Sequence, residues 1–216
     1  MLDGSVVQTD HFPAASPAEA VGVLRQALLR PYLMDYSFQA VELVADTPTT
    51  IVPLEHFRKS DMVAFYRLCF PNQQTGVADM QYQILSKLEA VMIFRLPQDV
   101  LRVVQESYPD VAVCCAEGEM LERIAAHQEK QPAPADAEQR DVYVSIGEET
   151  FFVAVFDHGT LLYAGSQKAG NDNDRTFLLL GIWKSLDLHA TRDACHLRGA
   201  SADLKAQLGE YLLNVD

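Results

Sequence analysis

The sequence predicts an α/β fold in which one pattern of elements occurs twice. Turn, strand, helix and strand follow in the same order near both ends of the chain. The corresponding positions are Gly4 and Gly159, Ser16 and Asn171, and Ala40 and Cys195, each pair 155 residues apart. A fixed separation between similar patterns is typical of an internal duplication. Between the copies lies a further group of strands and helices, which indicates an inserted α+β unit.

Local patterns define the elements of the first copy. Residues 5–10 alternate between polar and apolar side chains, which is typical of a strand. The segment "SPAE" is a capping box with proline at the first helical position and starts a helix at Ser16. Residues 38–45 are expected to form a second strand. The segment "DTPTTIVP" is expected to be a loop, and Ser60 to cap a short helix that ends at Leu68.

The middle of the chain predicts a strand pair followed by helix, strand and helix. Residues 80–87 and 90–97 form the pair, and Pro97 begins a helix that ends at Tyr108. "VAVCCAE" is a buried strand, and residues 117–128 are helical. Every side chain of "AVMIF" is apolar, so burial is favoured over a free edge offered to a partner.

The second copy starts after a polar, proline-containing stretch. Strands are predicted at 141–146, 150–156, 160–166 and 194–198, with helices at 171–187 and 201–213. Two strands precede its turn "DHG", whereas none precedes the turn at Gly4. We therefore expect an incomplete first half (1–75), an inserted subdomain (76–128), a linker (129–140) and a second half (141–216). The first half would lack its opening strands and the second half its last strand.

The charge and the cysteines restrict the classes of function. The formal net charge is −13 and the isoelectric point is about 4.8, so the surface repels nucleic acids and anionic membranes. None of the four cysteines has the C-x-x-C spacing of a zinc site, and buried thiols in a reducing compartment are expected. No signal peptide or membrane span is evident, which predicts a cytoplasmic protein.

Two hairpin-plus-helix units with an insert between them resemble the duplicated ribonuclease-H-like fold of the actin-like ATPases. The middle segment is similar to the inserted subdomain of the pilus-assembly protein PilM and the cell-division protein FtsA. The phrases "TIVPLEHF", "VVQESYP" and "LLLGIWKSLDLHATRDACHLRG" look closest to a bacterial domain-of-unknown-function family with this architecture. That resemblance covers most of the chain and implies the fold without an assigned activity.

The resemblance also locates two candidate nucleotide loops. The superfamily's second phosphate loop has the pattern D-I-G-x-x-T-T, and here Gly147 and Thr150 match while Ser145 replaces the aspartate. Glu148 and Glu149 would oppose a triphosphate, since a like-charge contact at ~4 Å costs about 4 kcal/mol at an effective dielectric of 20. The adenosine-loop pattern L-x-G-G-x-S matches at Gly199 and Ser201, but Ala200 replaces its second glycine. The first phosphate hairpin would precede Met1.

These departures predict a non-catalytic binding or scaffold protein with a protein partner and no required cofactor. The alternatives are a nucleotide-binding assembly factor similar to PilM, which would take ATP and Mg²⁺, and an enzyme of unrecognised chemistry in the cleft between the halves. No catalytic residue or metal ligand set is predicted. His189 and His196 are expected to be packed or exposed rather than ligands, and "NDND" at 171–174 to be a helix cap rather than a calcium loop. Trp183, Phe177 and Leu180 are predicted to share a buried helix face.

Overall fold

A computed structural model describes residues 10, 12, 17–30, 33, 38–73, 76–129 and 138–216. The predicted turn at Gly4, residues 5–9 of the strand predicted at 5–10, the cap Ser16 and linker residues 130–137 lie outside this range. The equivalence of the turns at Gly4 and Gly159 therefore stays a prediction.

The described chain contains six α-helices and ten strands. The helices are α1 (Pro17–Leu28), α2 (Met62–Cys69), α3 (Gln98–Ser107), α4 (Ala116–Gln128), α5 (Asp172–Ser185) and α6 (Ala202–Gly209). The strands are β1 (Glu42–Ala45), β2 (Thr49–Pro53), β3 (Met80–Leu85), β4 (Ala90–Arg95), β5 (Ala112–Cys115), β6 (Asp141–Ile146), β7 (Thr150–Asp157), β8 (Thr160–Lys168), β9 (Ala194–Arg198) and β10 (Asn214–Val215).

The C-terminal part forms one five-stranded sheet in the order β10-β9-β6-β7-β8. Strands β6, β7 and β8 are an antiparallel meander, and β9 pairs parallel with β6 and β10 parallel with β9. His158 (φ 48°) and Gly159 (φ 83°) lie in the β7–β8 turn, as "DHG" predicts. The expectation that the last strand is missing is wrong, because Asn214 and Val215 pair with Ala194 and Cys195.

Both faces of this sheet are covered, which explains the uninterrupted apolar sequence of β7. On one face Phe151, Val153 and Val155 pack with α5 and α6 around Trp183. On the other face Phe152 and the residues alternating with it pack against α4 and the middle of the chain. A strand that is buried on both sides has no polar face, so its sequence is apolar throughout.

In the described residues of the N-terminal region, β1 and β5 form a two-stranded parallel sheet. Glu42–Ala45 pairs in register with Ala112–Cys115, and α1 packs on α3. The residues that lie between β1 and β5 in the sequence form a separate three-stranded sheet in the order β2-β4-β3. Helix α2 packs on one face of this sheet. The predicted strand pair 80–87 and 90–97 is confirmed, and "AVMIF" is its buried central strand.

These pairings group the residues differently from the predicted boundaries. Thr49–Pro53 is the strand β2 rather than a loop, and it joins the sheet of the insert. Ala112–Cys115, which the predicted boundary at 76–128 assigns to the insert, pairs with β1 instead. The predicted cap at Ser60 is also wrong, because α2 begins at Met62 after a short turn and has no side-chain cap.

Phe177 is 76% exposed, whereas Trp183 on the same helix is buried. The predicted burial of a shared face is thus wrong for Phe177 and right for Trp183. Helix α5 is apolar on several sides, so periodicity did not define which of its faces would meet the sheet.

Candidate functional site

The two predicted nucleotide loops lie side by side at one edge of the five-stranded sheet. Gly147 follows β6 and Gly199 follows β9, and these strands are parallel neighbours, so their carboxyl ends meet. Gly199 has φ 75°, and a Cβ on it would lie 2.9 Å from the carbonyl oxygen of Ile146. Only glycine combines that backbone conformation with so close an approach.

The loop after β6 is a tight turn that brings Gly147 and Thr150 together. The Gly147 N–H donates to the carbonyl oxygen of Thr150 at 2.8 Å. Glu148 and Glu149 are exposed at the tip of this turn. The turn therefore presents two carboxylates where the superfamily pattern has small or neutral residues.

A guanidinium group holds the same turn from the other side. The Arg175 side chain donates to the carbonyl oxygens of Gly147 and Glu148, both at 2.8 Å, and pairs with Asp172 at 2.8 Å. Arg175 and Asp172 lie in the first turns of α5, one helical turn apart. Helix α5 is thereby fixed to the loop that follows β6.

Ser201 extends this network to the second loop. Its hydroxyl donates to Asp172 at 2.6 Å and accepts from the N–H of Leu204 at 3.0 Å, so it caps α6. Hydrogen bonds from Ser201 and Arg175 hold the pKa of Asp172 below its ordinary value. A chain of contacts thus runs from Ser201 through Asp172 and Arg175 to Gly147.

The structure therefore brings the four predicted site residues, Gly147, Thr150, Gly199 and Ser201, to one edge of the sheet. Sequence analysis missed Asp172 and Arg175, which connect them. Their spacing of three in the first turn after a capping Asn171 was the available signal. Asn171 accepts from the N–H of Asp174 at 2.9 Å, which confirms a helix cap at "NDND".

In the middle of β9, His196 lies between two carboxylates. Its Nδ1 is 2.9 Å from Asp216 and its Nε2 is 3.2 Å from Asp141, while the ring stacks on Tyr143 at 4.7 Å between centroids. The hydrogen bond with Asp141, then that with Asp216, raises the pKa of His196. The contacts join β10, β9 and β6 and use both ring nitrogens, which favours the imidazolium.

The contacts of His196 with Asp141 and Asp216, called the His196 clamp below, should make the free energy of unfolding depend on pH. Because the folded pKa of His196 is raised, its contribution is complete below the unfolded pKa of about 6.5 and disappears as the pH rises through the folded pKa. We expect His196→Gln to lose more unfolding free energy at pH 6 than at pH 9, in urea titrations of variant and parent at each pH. A loss that is equal at both pH values would contradict the clamp.

Three of the four thiols are buried, as expected, but Cys69 is exposed and lies 3.2 Å from the Thr50 hydroxyl, so the expectation is wrong for Cys69. Burial raises the pKa of Cys114 to about 11 and the pKa values of Cys115 and Cys195 to about 12. In the part of the chain that the structure describes, no three His, Cys, Asp or Glu side chains converge as a metal site. Across those same residues, no helix combines the length and apolarity needed to cross a membrane.

Comparison with known proteins agrees with this architecture. Residues 3–215 match the family described as "Protein of unknown function (DUF3822)". The chain belongs to the DUF3822 family. No curated protein matches this member in sequence.

Two solved structures show the fold. A Bacteroides thetaiotaomicron VPI-5482 protein "with actin-like ATPase fold and unknown function" superimposes with a TM-score of 0.77 at 24% identity, over 90% of this chain and 74% of its own. A chain of a "PilM-PilN type IV pilus biogenesis complex" gives 0.50 at 13% identity, over 94% and 78%. The predicted actin-like ATPase fold is thus confirmed.

Proposed function

We propose that this DUF3822 chain is a non-catalytic cytoplasmic scaffold that binds a protein partner. The observation that carries the proposal is the contact of Arg175 with the carbonyl oxygens of Gly147 and Glu148. Phosphates bind such turns through backbone N–H groups. Here the Gly147 N–H already donates to the Thr150 carbonyl oxygen, and Arg175, itself paired with Asp172, fixes the carbonyl side of the turn to α5.

Electrostatics support the same conclusion. The exposed Glu148 and Glu149 would lie within a few ångströms of a bound triphosphate, and Ser145 supplies no carboxylate to organise Mg²⁺. The PilM–PilN complex shows that a protein of this fold can act by holding a partner. The partner of this chain is unidentified, and ATP with Mg²⁺ is its less favoured ligand.

The nucleotide-binding alternative rests on the adjacency of Gly147 and Gly199, which the fold retains. Glycines at neighbouring strand ends are the backbone geometry through which phosphates approach closely. Under this alternative the chain would bind ATP without fast turnover and control an assembly partner.

A thermal-shift measurement separates the two functions. We expect 5 mM Mg-ATP to raise the melting temperature by less than about 1 °C relative to a magnesium salt of equal ionic strength. A ligand at 100 times its Kd stabilises by about 2.7 kcal/mol, which is several degrees for a chain of this size.

The matched variant restores the superfamily pattern with Ser145→Asp, Glu148→Ala and Glu149→Gly. We expect it to gain little, because the Gly147 N–H still donates to Thr150 and Ala200 still replaces the second glycine of the adenosine loop. A magnesium-dependent rise of several degrees in the unmodified protein would refute the scaffold proposal and favour the nucleotide-binding alternative.

A further inference from the structure

A pocket of about 430 Å³ lies between α4 and the sheet, on the β9 side of that helix. Met120 and Ile124 of α4 form one wall, and Tyr143 and His196 of the sheet face it. The pocket reaches the carboxyl end of β9 at Arg198, next to Gly199, and extends across the sheet to Asp216 after β10; the turn at Gly147 does not line it. Ligand pockets in proteins have volumes of about 300–1,000 Å³, so this one can take a small molecule.

Two arginines line this pocket, Arg123 from α4 and Arg198 from β9. Both are exposed, and within the described residues neither side chain makes a hydrogen bond or an ion pair. The other nine arginines of the chain all contact a carboxylate, a carbonyl oxygen or another partner. The two unpaired guanidinium groups of a protein with net charge −13 therefore line one cavity.

The carboxylates at the pocket are already engaged. Asp216 lines it but accepts from His196 at 2.9 Å, and Asp141 is bound to the other ring nitrogen. With the imidazolium neutralising part of their charge, these acids do not satisfy Arg123 or Arg198. Guanidinium groups bind carboxylate and phosphate through paired N–H donors, which suits them to an anion that enters from solvent.

The walls complement an apolar or planar body next to that anion. The Tyr143 and His196 rings are nearly parallel, at 26°, and form an aromatic surface. Across from it, Ile124 is buried and Met120 half-buried, and methionine adapts its shape to aromatic ligands. The two arginines and the apolar walls of the pocket together favour a ligand that carries an anionic group on an apolar body.

We propose that this pocket binds a small organic anion, a carboxylate or phosphate carried on an aromatic or other apolar body. Such a site borders Gly199 through Arg198 but does not include the turn at Gly147, and it goes beyond the scaffold function. It would let the protein respond to a metabolite while it holds a partner.

The test uses phenyl phosphate and 3-phenylpropionate as probes in ¹H–¹⁵N NMR titrations of the whole chain. We expect saturable shifts confined to α4, β6 and β9. The double variant Arg123→Gln with Arg198→Gln should bind at least tenfold more weakly. Arg25→Gln with Arg102→Gln is the matched control, because both arginines are exposed and paired on other helices, and it should bind as the parent does.

Benzyl alcohol and inorganic phosphate separate the two halves of the ligand. We expect both to bind much more weakly than phenyl phosphate, since each lacks either the anion or the apolar body. Equal binding of benzyl alcohol, or unchanged affinity in the Arg123 and Arg198 variant, would overturn the proposal. So would shifts centred on Gly147 and Thr150 with none in α4, which would place the anion in the phosphate loop rather than in the pocket.

Discussion

Replacing Asp193 with alanine is expected to lower the free energy of unfolding by about 3–5 kcal/mol, the range for removing one partner of a buried charged network. Asp193 is fully buried. Its carboxylate accepts from the backbone N–H of His189 at 2.7 Å and of Arg140 at 3.0 Å, and from the Arg192 side chain at 3.4 Å. Alanine would remove the acceptor of the His189 and Arg140 backbone N–H groups, whereas Arg192 would keep its ion pair with Glu138.

The effect should be large because Asp193 joins two segments that enter the sheet together. Arg140 immediately precedes β6, and Asp193 immediately precedes β9. Urea denaturation should show a lower midpoint with an unchanged slope, and the melting temperature should fall by roughly 10 °C, since 1 kcal/mol shifts a chain of this size by about 2–4 °C.

Two variants make this result interpretable. Asp193→Asn keeps the shape of the side chain but presents an NH₂ group to one backbone donor. We therefore expect its free energy of unfolding to lie between the values of the parent and of the alanine variant. Asp110→Ala changes an exposed aspartate in a turn and should stay within about 0.5 kcal/mol of the parent. A loss below 1 kcal/mol for Asp193→Ala would show that the network does not stabilise the sheet.

Phe156→Ala should also cost about 3–5 kcal/mol, the usual loss for a buried phenylalanine. Phe156 has no exposed surface and packs edge-on against Tyr143 at 5.8 Å between ring centroids. It belongs to the core where the five-stranded sheet meets α4 and β4. Its removal therefore leaves a cavity between the second half and the rest of the chain.

Phe177→Ala is the matched control, since Phe177 is 76% exposed. The same substitution there should change the free energy of unfolding by no more than about 0.5 kcal/mol. Calorimetry adds a second readout, because weaker packing between the two parts should broaden the transition or split it. Equal costs for the two variants would contradict the shared core.

Sequence alone determined the elements whose causes are local. The turn at His158 and Gly159, the cap at Asn171 and the apolar strand β4 follow from short-range chemistry and were predicted correctly. The candidate nucleotide loops came from the family resemblance, and their role stays a prediction.

Tertiary structure alone decided the pairings between distant segments. The assignment of β2 to the insert and of β5 to β1 depends on pairing between residues 37 to 70 apart, which no local pattern encodes. The hold of Arg175 on the turn at Gly147 spans 28 residues, and the Asp193 contact with Arg140 spans 53. Side-chain chemistry names the groups that can bond, but the folded backbone decides which of them meet.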